Sequence, residues 1–426
     1  MKELIINPPQ NEWKTIGKRA TIEADIIEER VQAILDKVAQ EGDQALRYFN
    51  EKFDQSKIDQ LAVSAQEIEE AENELEEPLK KAIQQAYQNI RTFHEAQKEP
   101  LKKVETVDGV TCWRKSVAIG KVGLYIPGGT APLFSTVLML GAPAQIAGCK
   151  EIVLCSPPNK AGKIHPAILY AAKVVGIRQI FKVGGAQAIA AMGYGTESIP
   201  QTYKIFGPGN QYVTTAKTLL AKRGTAIDMP AGPSELAVIA DETCVPAFVA
   251  ADLLSQAEHG VDSQVVLIAT SQDVAQKVQA EVQRQVASLP RREIAEKALE
   301  NSKVVVFDDL NQAIAFSNDY APEHLIIATK DFEQVGEQIT NAGSVFLGNF
   351  APESAGDYAS GTNHTLPTNG FAQAFSGVSL DSFYKKITFQ HLTKAGLQNI
   401  AQTVETMASA ELLTAHQRAV SIRFEE

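Results

Sequence analysis

Residues 234–270, SELAVIADETCVPAFVAADLLSQAEHGVDSQVVLIAT, carry the pattern that decides the fold. The runs LAVIAD and QVVLIAT are short and apolar, which predicts two buried strands. The segment between them is predicted to be helical, with DLLSQAEHG forming the last turns before Gly260 closes the helix. A strand–helix–strand unit of this kind predicts parallel strands joined by a crossover.

The same alternation extends in both directions, from about residue 117 to about residue 348. It predicts an α/β protein with two Rossmann-like parallel-sheet domains, a helical N-terminal segment and a small C-terminal helical tail. Helices are expected over residues 21–53 and 64–98, the second starting with a capping box at Ser64–Glu67. The predicted units are an N-terminal segment, a first domain, a second domain and a tail, at residues 1–116, 117–233, 234–378 and 379–426.

Composition excludes several classes of function. With 40 Lys and Arg against 51 Asp and Glu, the net charge of −11 argues against a protein that binds nucleic-acid phosphates. No apolar run reaches the ~20 residues of a membrane span, and the start of the chain lacks the pattern of a signal peptide. The four Cys are sparse and form no CxxC pair, which predicts free thiols in a cytoplasmic protein.

Glycine-rich turns follow three predicted strands of the first half, in VGGAQ, FGPGN and MPAGPSE. Ligands of parallel sheets bind beyond the carboxyl ends of strands, so these turns are expected to approach a ligand or else to be simple tight turns. Gln187, Asn210 and Ser234 offer hydrogen bonds there. The G-x-G pairs at 193–195 and 207–209 do not continue to the third glycine, so the usual dinucleotide fingerprint is missing.

Nitrogen and oxygen ligands for a metal ion are scattered over the C-terminal half. Gln256 and His259 lie three residues apart and are predicted to share a helix face. Together with Asp357 and His416 they would form a ligand set suited to zinc, although each residue taken singly also fits a purely structural role. Glu411 and His416 are separated by about 140° on one helix, so the two side chains do not share a face cleanly.

Two further segments carry groups for acid–base chemistry. Glu323 and His324 follow a proline just before the strand LIIAT, where they serve either as an acid–base pair or as a capping Glu beside a packed His. Residues 353–370, ESAGDYASGTNHTLPTNG, are predicted to form a long polar loop that presents Asp357 and His364. Long loops in compact domains are usually functional or flexible.

The motifs VGLYIPGG, GGAQAIAAMGYGTESIP, GPGNQYVT, IDMPAGPSE, DLLSQAEHGVDSQV, YAPEHL and PESAGDYASGTNHTLPT resemble the histidinol dehydrogenase family in order and spacing. The resemblance covers nearly the whole chain and is densest from about residue 120 to 380. It implies an NAD-dependent enzyme with one zinc ion per subunit that oxidises L-histidinol to L-histidine through the aldehyde, the last steps of L-histidine biosynthesis. It also implies homodimers whose C-terminal tails exchange, so that active sites are shared.

The resemblance assigns roles by motif position. The implied zinc ligands are Gln256, His259, Asp357 and His416, and the implied acid–base pair is Glu323 and His324. Ser234, His364 and Glu411 are implied to contact the substrate, together with the zinc ligands and His324. Tyr125, Gln187 and Asn210 are implied to line the NAD site.

Two other interpretations stay open at the level of sequence. A zinc-dependent hydrolase would use a metal-bound water with Glu323 as base and would not consume NAD. A two-lobed binding protein would hold a small ligand between its α/β halves without chemistry.

Overall fold

The computed structural model describes residues 1, 4–19, 24–128, 132–230 and 232–425 of the chain. The strands are β1 Leu4–Ile6, β2 Lys103–Val107, β3 Val110–Ala118, β4 Lys121–Tyr125, β5 Glu151–Ser156, β6 Gln179–Lys182, β7 Lys204–Phe206, β8 Ala226–Ile227, β9 Glu235–Ala240, β10 Gln264–Ala269, β11 Lys303–Val306, β12 His324–Ala328, β13 Ser344–Leu347 and β14 Tyr384–Leu392.

The helices alternate with these strands through most of the chain. They are α1 Trp13–Ile16, α2 Ala24–Glu41, α3 Asp43–Phe53, α4 Ala65–Glu74, α5 Glu77–Glu95, α6 Phe134–Ala147, α7 Pro166–Val175, α8 Gly185–Tyr194, α9 Gln211–Ala221, α10 Pro246–Ala257, α11 Gln272–Val286, α12 Arg292–Glu300, α13 Leu310–Tyr320, α14 Phe332–Gly336, α15 Glu353–Tyr358, α16 Lys394–Ala410 and α17 Thr414–Ser421. Residues 21–23 of the first predicted helix lie outside the described residues.

Two parallel sheets form the body of the molecule. The first has the order β6-β5-β4-β7-β8 and the second has the order β1-β11-β10-β9-β12-β13. Counted from β4 and from β9, both sheets follow the order 3-2-1-4-5, which corresponds to the first five strands of the Rossmann order 3-2-1-4-5-6, and β1 adds a sixth strand to the second sheet. The predicted pair of Rossmann-like sheets is confirmed.

Each parallel sheet is covered on both faces, because alternate residues of its strands pack into different apolar clusters. In β9, Leu236 and Val238 pack with α10 and α11 on one face, while Ala237 and Ile239 pack with α13 on the other. The strands of the first sheet divide in the same way between two clusters. Burial on both faces explains why these strands are apolar throughout rather than alternating.

A third sheet of three antiparallel strands, in the order β14-β3-β2, was not predicted. Strands β2 and β3 form a hairpin in which Val107 pairs with Val110 across Asp108 and Gly109, and Gly109 has a φ of 75°. An Asp-Gly pair between β-rich runs is a strong hairpin signal. The N-terminal segment is therefore mainly helical, as expected, but it contributes three strands, and β3 runs across residue 116. The tail likewise contains β14 before its helices.

Local signals in the sequence agree with the ends of several elements. The predicted capping box is confirmed, because Ser64 accepts a hydrogen bond from the Glu67 amide and Glu67 accepts one from the Ser64 amide. Helix α10 ends at Ala257, so His259 lies two residues beyond the helix instead of in its last turn. No helix within the described residues is long and apolar enough to cross a membrane.

Candidate active site

A cavity of about 1270 Å³ lies between the two parallel sheets. On one side it is lined by residues that follow the carboxyl ends of β4, β6 and β7, and on the other by residues at the amino ends of β9 and β12. Nine of the predicted site residues line it: Tyr125, Gln187, Asn210, Ser234, His259, Glu323, His324, Asp357 and His364. The fold thus brings together groups that are separated by up to 239 residues in the chain.

A cluster of potential metal ligands occupies one wall of this cavity. One ligand atom each from His259, Glu353 and Asp357 lie within 4.8 Å of one another. Glu353 Oε1 and Asp357 Oδ1 are shielded from solvent without hydrogen-bond partners among the described residues, and so are both amide atoms of the fully buried Gln256. Buried polar atoms are nearly always paired in folded proteins, so the unpaired oxygens of Glu353 and Asp357 mark a place for a ligand that bonds to them. Nitrogen and oxygen donors fit zinc.

Glu353 was not among the residues predicted from the sequence to bind metal or substrate. The first six residues of the predicted polar loop form α15, and Glu353 and Asp357 lie four residues apart on that helix, so they share a face. Residues 359–370 form the irregular remainder of the loop. The spacing of the two carboxylates was visible in the sequence, but the glycine-rich composition predicted no helix that would align them.

Glu323 and His324 are both buried at the start of β12. The Glu235 amide donates to Glu323 Oε2 at 2.8 Å, and His324 Nδ1 donates to the Glu235 carbonyl at 3.3 Å. His324 Nε2 has no hydrogen-bond partner within the described chain and lies 3.5 Å from Asp357 Oδ1. The backbone of one residue therefore fixes both predicted acid–base groups.

Burial and charge set the protonation of this wall. Burial raises the pKa of Glu323 to about 8 and that of Glu353 to about 8. Burial alone would lower the pKa of His324, but the three surrounding carboxylates raise it to about 10. The exposed surface of His259 faces the cavity, and desolvation there lowers its pKa, which favours the neutral imidazole that a metal ion requires.

An ion pair from the N-terminal segment supports the same wall. Arg19 makes two hydrogen bonds of 2.9 Å to the carboxylate of Glu235 and stacks on the ring of Tyr320 at 3.9 Å. The Asn369 amide donates to Glu235 Oε1 at 2.7 Å. Glu235 therefore connects Arg19, the polar loop and the Glu323 carboxylate, which is an arrangement that no local sequence signal indicated.

His364 links the metal-ligand cluster to the first sheet. Its Nδ1 donates to the Asp357 carbonyl at 3.0 Å, which leaves Nε2 to accept from the Thr136 hydroxyl at 3.1 Å. Burial lowers the pKa of His364 and favours this neutral form. Thr136 lies in the first turn of α6 and lines the cavity, and it had no signal in the sequence.

Glycine turns and strand ends form part of the opposite wall, hereafter the backbone-lined wall. Gly207 has a φ of 137°, and a Cβ there would lie 2.2 Å from the Tyr125 carbonyl oxygen. Tyr125 is buried, which raises its pKa to about 12, and its phenol oxygen accepts from the Gly185 amide at 3.2 Å. Asn210 caps α9 by accepting from two backbone amides, and the residue lines the cavity.

The structure does not bring Glu411 and His416 to the cavity of the same chain. Glu411 directly follows α16 and His416 lies in α17, with Leu412 between the helices at a φ of 61°. The expected angle of about 140° between them assumed one continuous helix, so it does not apply. Both side chains are exposed, and neither is among the described residues that line the cavity.

An α/β fold with paired Rossmann-type sheets, a backbone-lined wall and a facing wall of histidines and carboxylates defines an enzyme rather than a simple binding protein. The sequence model of the histidinol dehydrogenase family matches residues 17–424, and the chain belongs to that family. It is an oxidoreductase, which favours the dehydrogenase implied by the sequence resemblance over a hydrolase or a binding protein.

Individual relatives agree with this assignment. Histidinol dehydrogenase of Bacteroides fragilis is 60% identical over 424 residues, which cover 100% of this chain and 99% of that protein. The enzyme of Escherichia coli is 54% identical over 402 residues, with 94% and 92% covered. The crystal structure of histidinol dehydrogenase from Elizabethkingia anophelis matches with a TM-score of 0.97 at 55% identity, covering 99% of this chain and 98% of that one.

Proposed function

We propose that this protein oxidises L-histidinol to L-histidine through histidinaldehyde, with zinc and NAD, as the last steps of L-histidine biosynthesis. The observation that carries the proposal is the cluster of unpaired metal ligands beside the His324–Glu323 pair, in a cavity that also reaches the carboxyl edge of a Rossmann-type sheet. The family and its curated members support the choice of substrate.

Gln256, His259 and Asp357 are the residues of this chain that we expect to hold zinc, and Glu353 is close enough to join them. Zinc would supply positioning, because a borderline-soft ion suits the imidazole and amino nitrogens of histidinol. His364, Ser234 and His324 line the cavity around this cluster and are proposed to contact the substrate.

The acid–base chemistry is assigned to Glu323 and His324. His324 takes the proton of the alcohol while a hydride from the alcohol carbon would pass to NAD, which gives the aldehyde. Positive charge bound at Asp357 and Glu353 would offset the carboxylates that raise the pKa of His324, and so would free it to act as a base. Glu323 would then activate a water that hydrates the aldehyde, and the hydrate would lose a hydride to a second NAD and a proton to solvent.

A hydrated intermediate fits better than a thiohemiacetal. No cysteine lines the cavity in the part of the chain that the structure describes. If Glu323 activates water, Glu323→Gln should slow the oxidation of supplied histidinaldehyde more than it slows the alcohol step. Equal slowing of the two steps would remove that assignment.

The NAD site is proposed on the backbone-lined wall, with contacts from Tyr125, Gln187 and Asn210. Glycines and strand ends there allow a dinucleotide to approach the main chain without the usual fingerprint.

The cytoplasmic location expected from the sequence also stays a prediction.

We further propose a homodimer in which Glu411 and His416 complete the site of the partner. Both residues are exposed on the tail, next to Leu412, which is 88% exposed. Phe350, which is 91% exposed, lies three residues before the helix that carries Glu353 and Asp357. Exposed apolar side chains on the tail and beside the cluster suit a contact between two copies of the chain.

The test of the reaction is NADH formation from L-histidinol, measured with and without EDTA. Formation of about two NADH per histidinol, lost with EDTA and restored by zinc, is expected from the two hydride transfers proposed above. A chain that makes no NADH but hydrolyses a substrate in a metal-dependent manner would contradict the proposal.

The shared site has a separate test. His416→Asn and Gln256→Ala should each inactivate the homodimer, and mixing the two after subunit exchange should recover part of the activity. The recovered activity should correspond to about one active site per heterodimer, because the other site carries both substitutions. No recovery after verified exchange would count against a site built from two chains.

A further inference from the structure

The first sheet has the order of the first five strands of a Rossmann domain but lacks one of that domain's usual groups. In such domains an acidic residue after the second strand accepts hydrogen bonds from the ribose of the dinucleotide. The second strand in this order is β5, which ends at Ser156 and is followed by PPNKAGKIH. That segment contains no carboxylate, so a ribose bound at this edge would have no acidic partner from the sheet itself.

The N-terminal segment covers the same loop. Residues 54–58 follow α3 and pack on the segment after β5, because a Cβ at Gly162 would lie 2.5 Å from Ile58 Cγ2 and 3.8 Å from Ser56 Oγ. Pro157 in turn packs against Gly184, at the end of the neighbouring strand β6. The end of α3 is therefore held against the carboxyl edge of the first sheet.

Asp54 is the first residue after α3, and it lines the cavity. Its Oδ2 is shielded from solvent and has no hydrogen-bond partner in the described part of the chain. Burial raises its pKa to about 6, and the carboxylate is close enough to Tyr125 to raise the pKa of that phenol further. A shielded carboxylate without donors costs folding free energy, so its presence on a cavity wall points to donors supplied by a ligand.

The charges that line the cavity give Asp54 a role in choosing the ligand. Arg30 and Lys52 line the same cavity, and by themselves these cations would attract an additional phosphate. The negative charge of Asp54 opposes this attraction. Among ligands of the dinucleotide class, the one with a free ribose diol fits a carboxylate, and the one with a 2′-phosphate is repelled by it.

We propose that Asp54 accepts hydrogen bonds from the hydroxyls of the adenosine ribose and selects NAD over NADP, taking the place of the acid that β5 lacks. The inference rests on the proposed NAD dependence. It assigns a residue of the N-terminal segment to cofactor choice.

The test is equilibrium binding of NAD and NADP to the full-length protein by calorimetry. Asp54→Asn should weaken NAD binding about 10-fold to 100-fold, the usual range for a lost hydrogen bond to a charged group. It should also bind NADP at least as well as the wild type does, so the preference for NAD falls. Asp59→Asn is the matched control, because Asp59 is exposed in the same segment, and it should leave both affinities unchanged.

A second measurement needs no variant and therefore does not depend on folding. The wild type should bind 2′-deoxy-NAD about 10-fold more weakly than NAD, because the carboxylate would lose one donor. Equal binding of the two, or an unchanged NAD preference in Asp54→Asn, overturns the inference and leaves the proposed NAD dependence standing. A wild type that binds NAD nowhere and forms no NADH would instead overturn the proposed function.

Discussion

The two parallel sheets have the same strand order, yet they turn opposite edges toward the cavity. The first sheet presents turns that follow the carboxyl ends of β4 and β7, as expected for a Rossmann-type sheet. The second sheet presents the amino ends of β9 and β12, where Glu235 and His324 begin their strands. Its carboxyl edge is closed by Asp241, whose carboxylate accepts from the Lys330 and Thr243 amides at 2.8 Å each.

The two edges that face the cavity differ in the groups that they offer to a ligand. At the carboxyl edge of the first sheet, glycines leave room for a ligand to approach the main chain, as the positive φ of Gly207 shows. At the amino edge of the second sheet, strand amides point outward and hold a carboxylate, as the Glu235 amide holds Glu323. Strand order alone therefore does not locate a site, because either edge of the same sheet can be built into one.

The largest effect is expected from removing a carboxylate of the second sheet's wall. Glu353→Gln should lower zinc affinity and kcat/KM by more than about 100-fold, since even outer-shell partners of metal ligands change them 10-fold to 100-fold. Zinc content by mass spectrometry and titration with a chromogenic chelator would measure this. Glu337→Gln, at an exposed acid near α14, is the control. Normal zinc binding by both Glu353→Gln and Glu353→Ala would exclude Glu353 from the site.

A smaller effect is expected from a change in the first sheet's wall, and it should reduce NAD binding rather than zinc binding. Gly207→Ala would place a Cβ 2.2 Å from the Tyr125 carbonyl, so the turn must shift, and NAD affinity should fall about 10-fold to 100-fold. Zinc content should stay unchanged. Gly224→Ala is the control, because its φ is also positive but no atom lies within 4 Å of the new Cβ. Loss of zinc together with NAD would mean that the two walls are not separate.

Arg19 tests how far the second wall depends on the N-terminal segment. Arg19→Met leaves the buried Glu235 carboxylate without its cation, which should lower the free energy of unfolding by about 3 kcal/mol. kcat should fall about 10-fold because the Glu235 amide, which donates to Glu323, would no longer be anchored through the Glu235 side chain. NAD affinity should not change. Arg19→Lys should restore only part of either loss, since lysine cannot make the paired hydrogen bonds. Urea unfolding and steady-state kinetics would check both expectations.

The smallest effect is expected from the thiols. All four Cys are free, and we expect replacement of every one by Ala or Ser to leave kcat within about twofold when the protein stays folded. Circular dichroism would verify folding, because Cys155 is fully buried in the core of the first sheet. A folded variant without turnover would indicate a covalent thiol intermediate and reverse the proposed hydration step.

Much of the molecule could be predicted locally. The alternation of apolar runs with helical segments predicted both parallel sheets, and the Ser64–Glu67 capping box was visible in four letters. The hairpin at Asp108–Gly109 was equally readable but was missed. The motifs also named nine residues that line the cavity, although only the resemblance to a family separated them into ligands, acid–base groups and cofactor contacts.

The sequence by itself determined the strands and helices of the two parallel sheets, because hydrophobic period and capping act over a few residues. Only the tertiary structure decided that the second sheet uses its amino edge, that Glu353 joins His259 and Asp357, and that Arg19 supports Glu235 across 216 residues. It also separated Glu411 and His416 from the cavity of their own chain. These contacts depend on how complete sheets pack against each other, and no local property of the sequence encodes that packing.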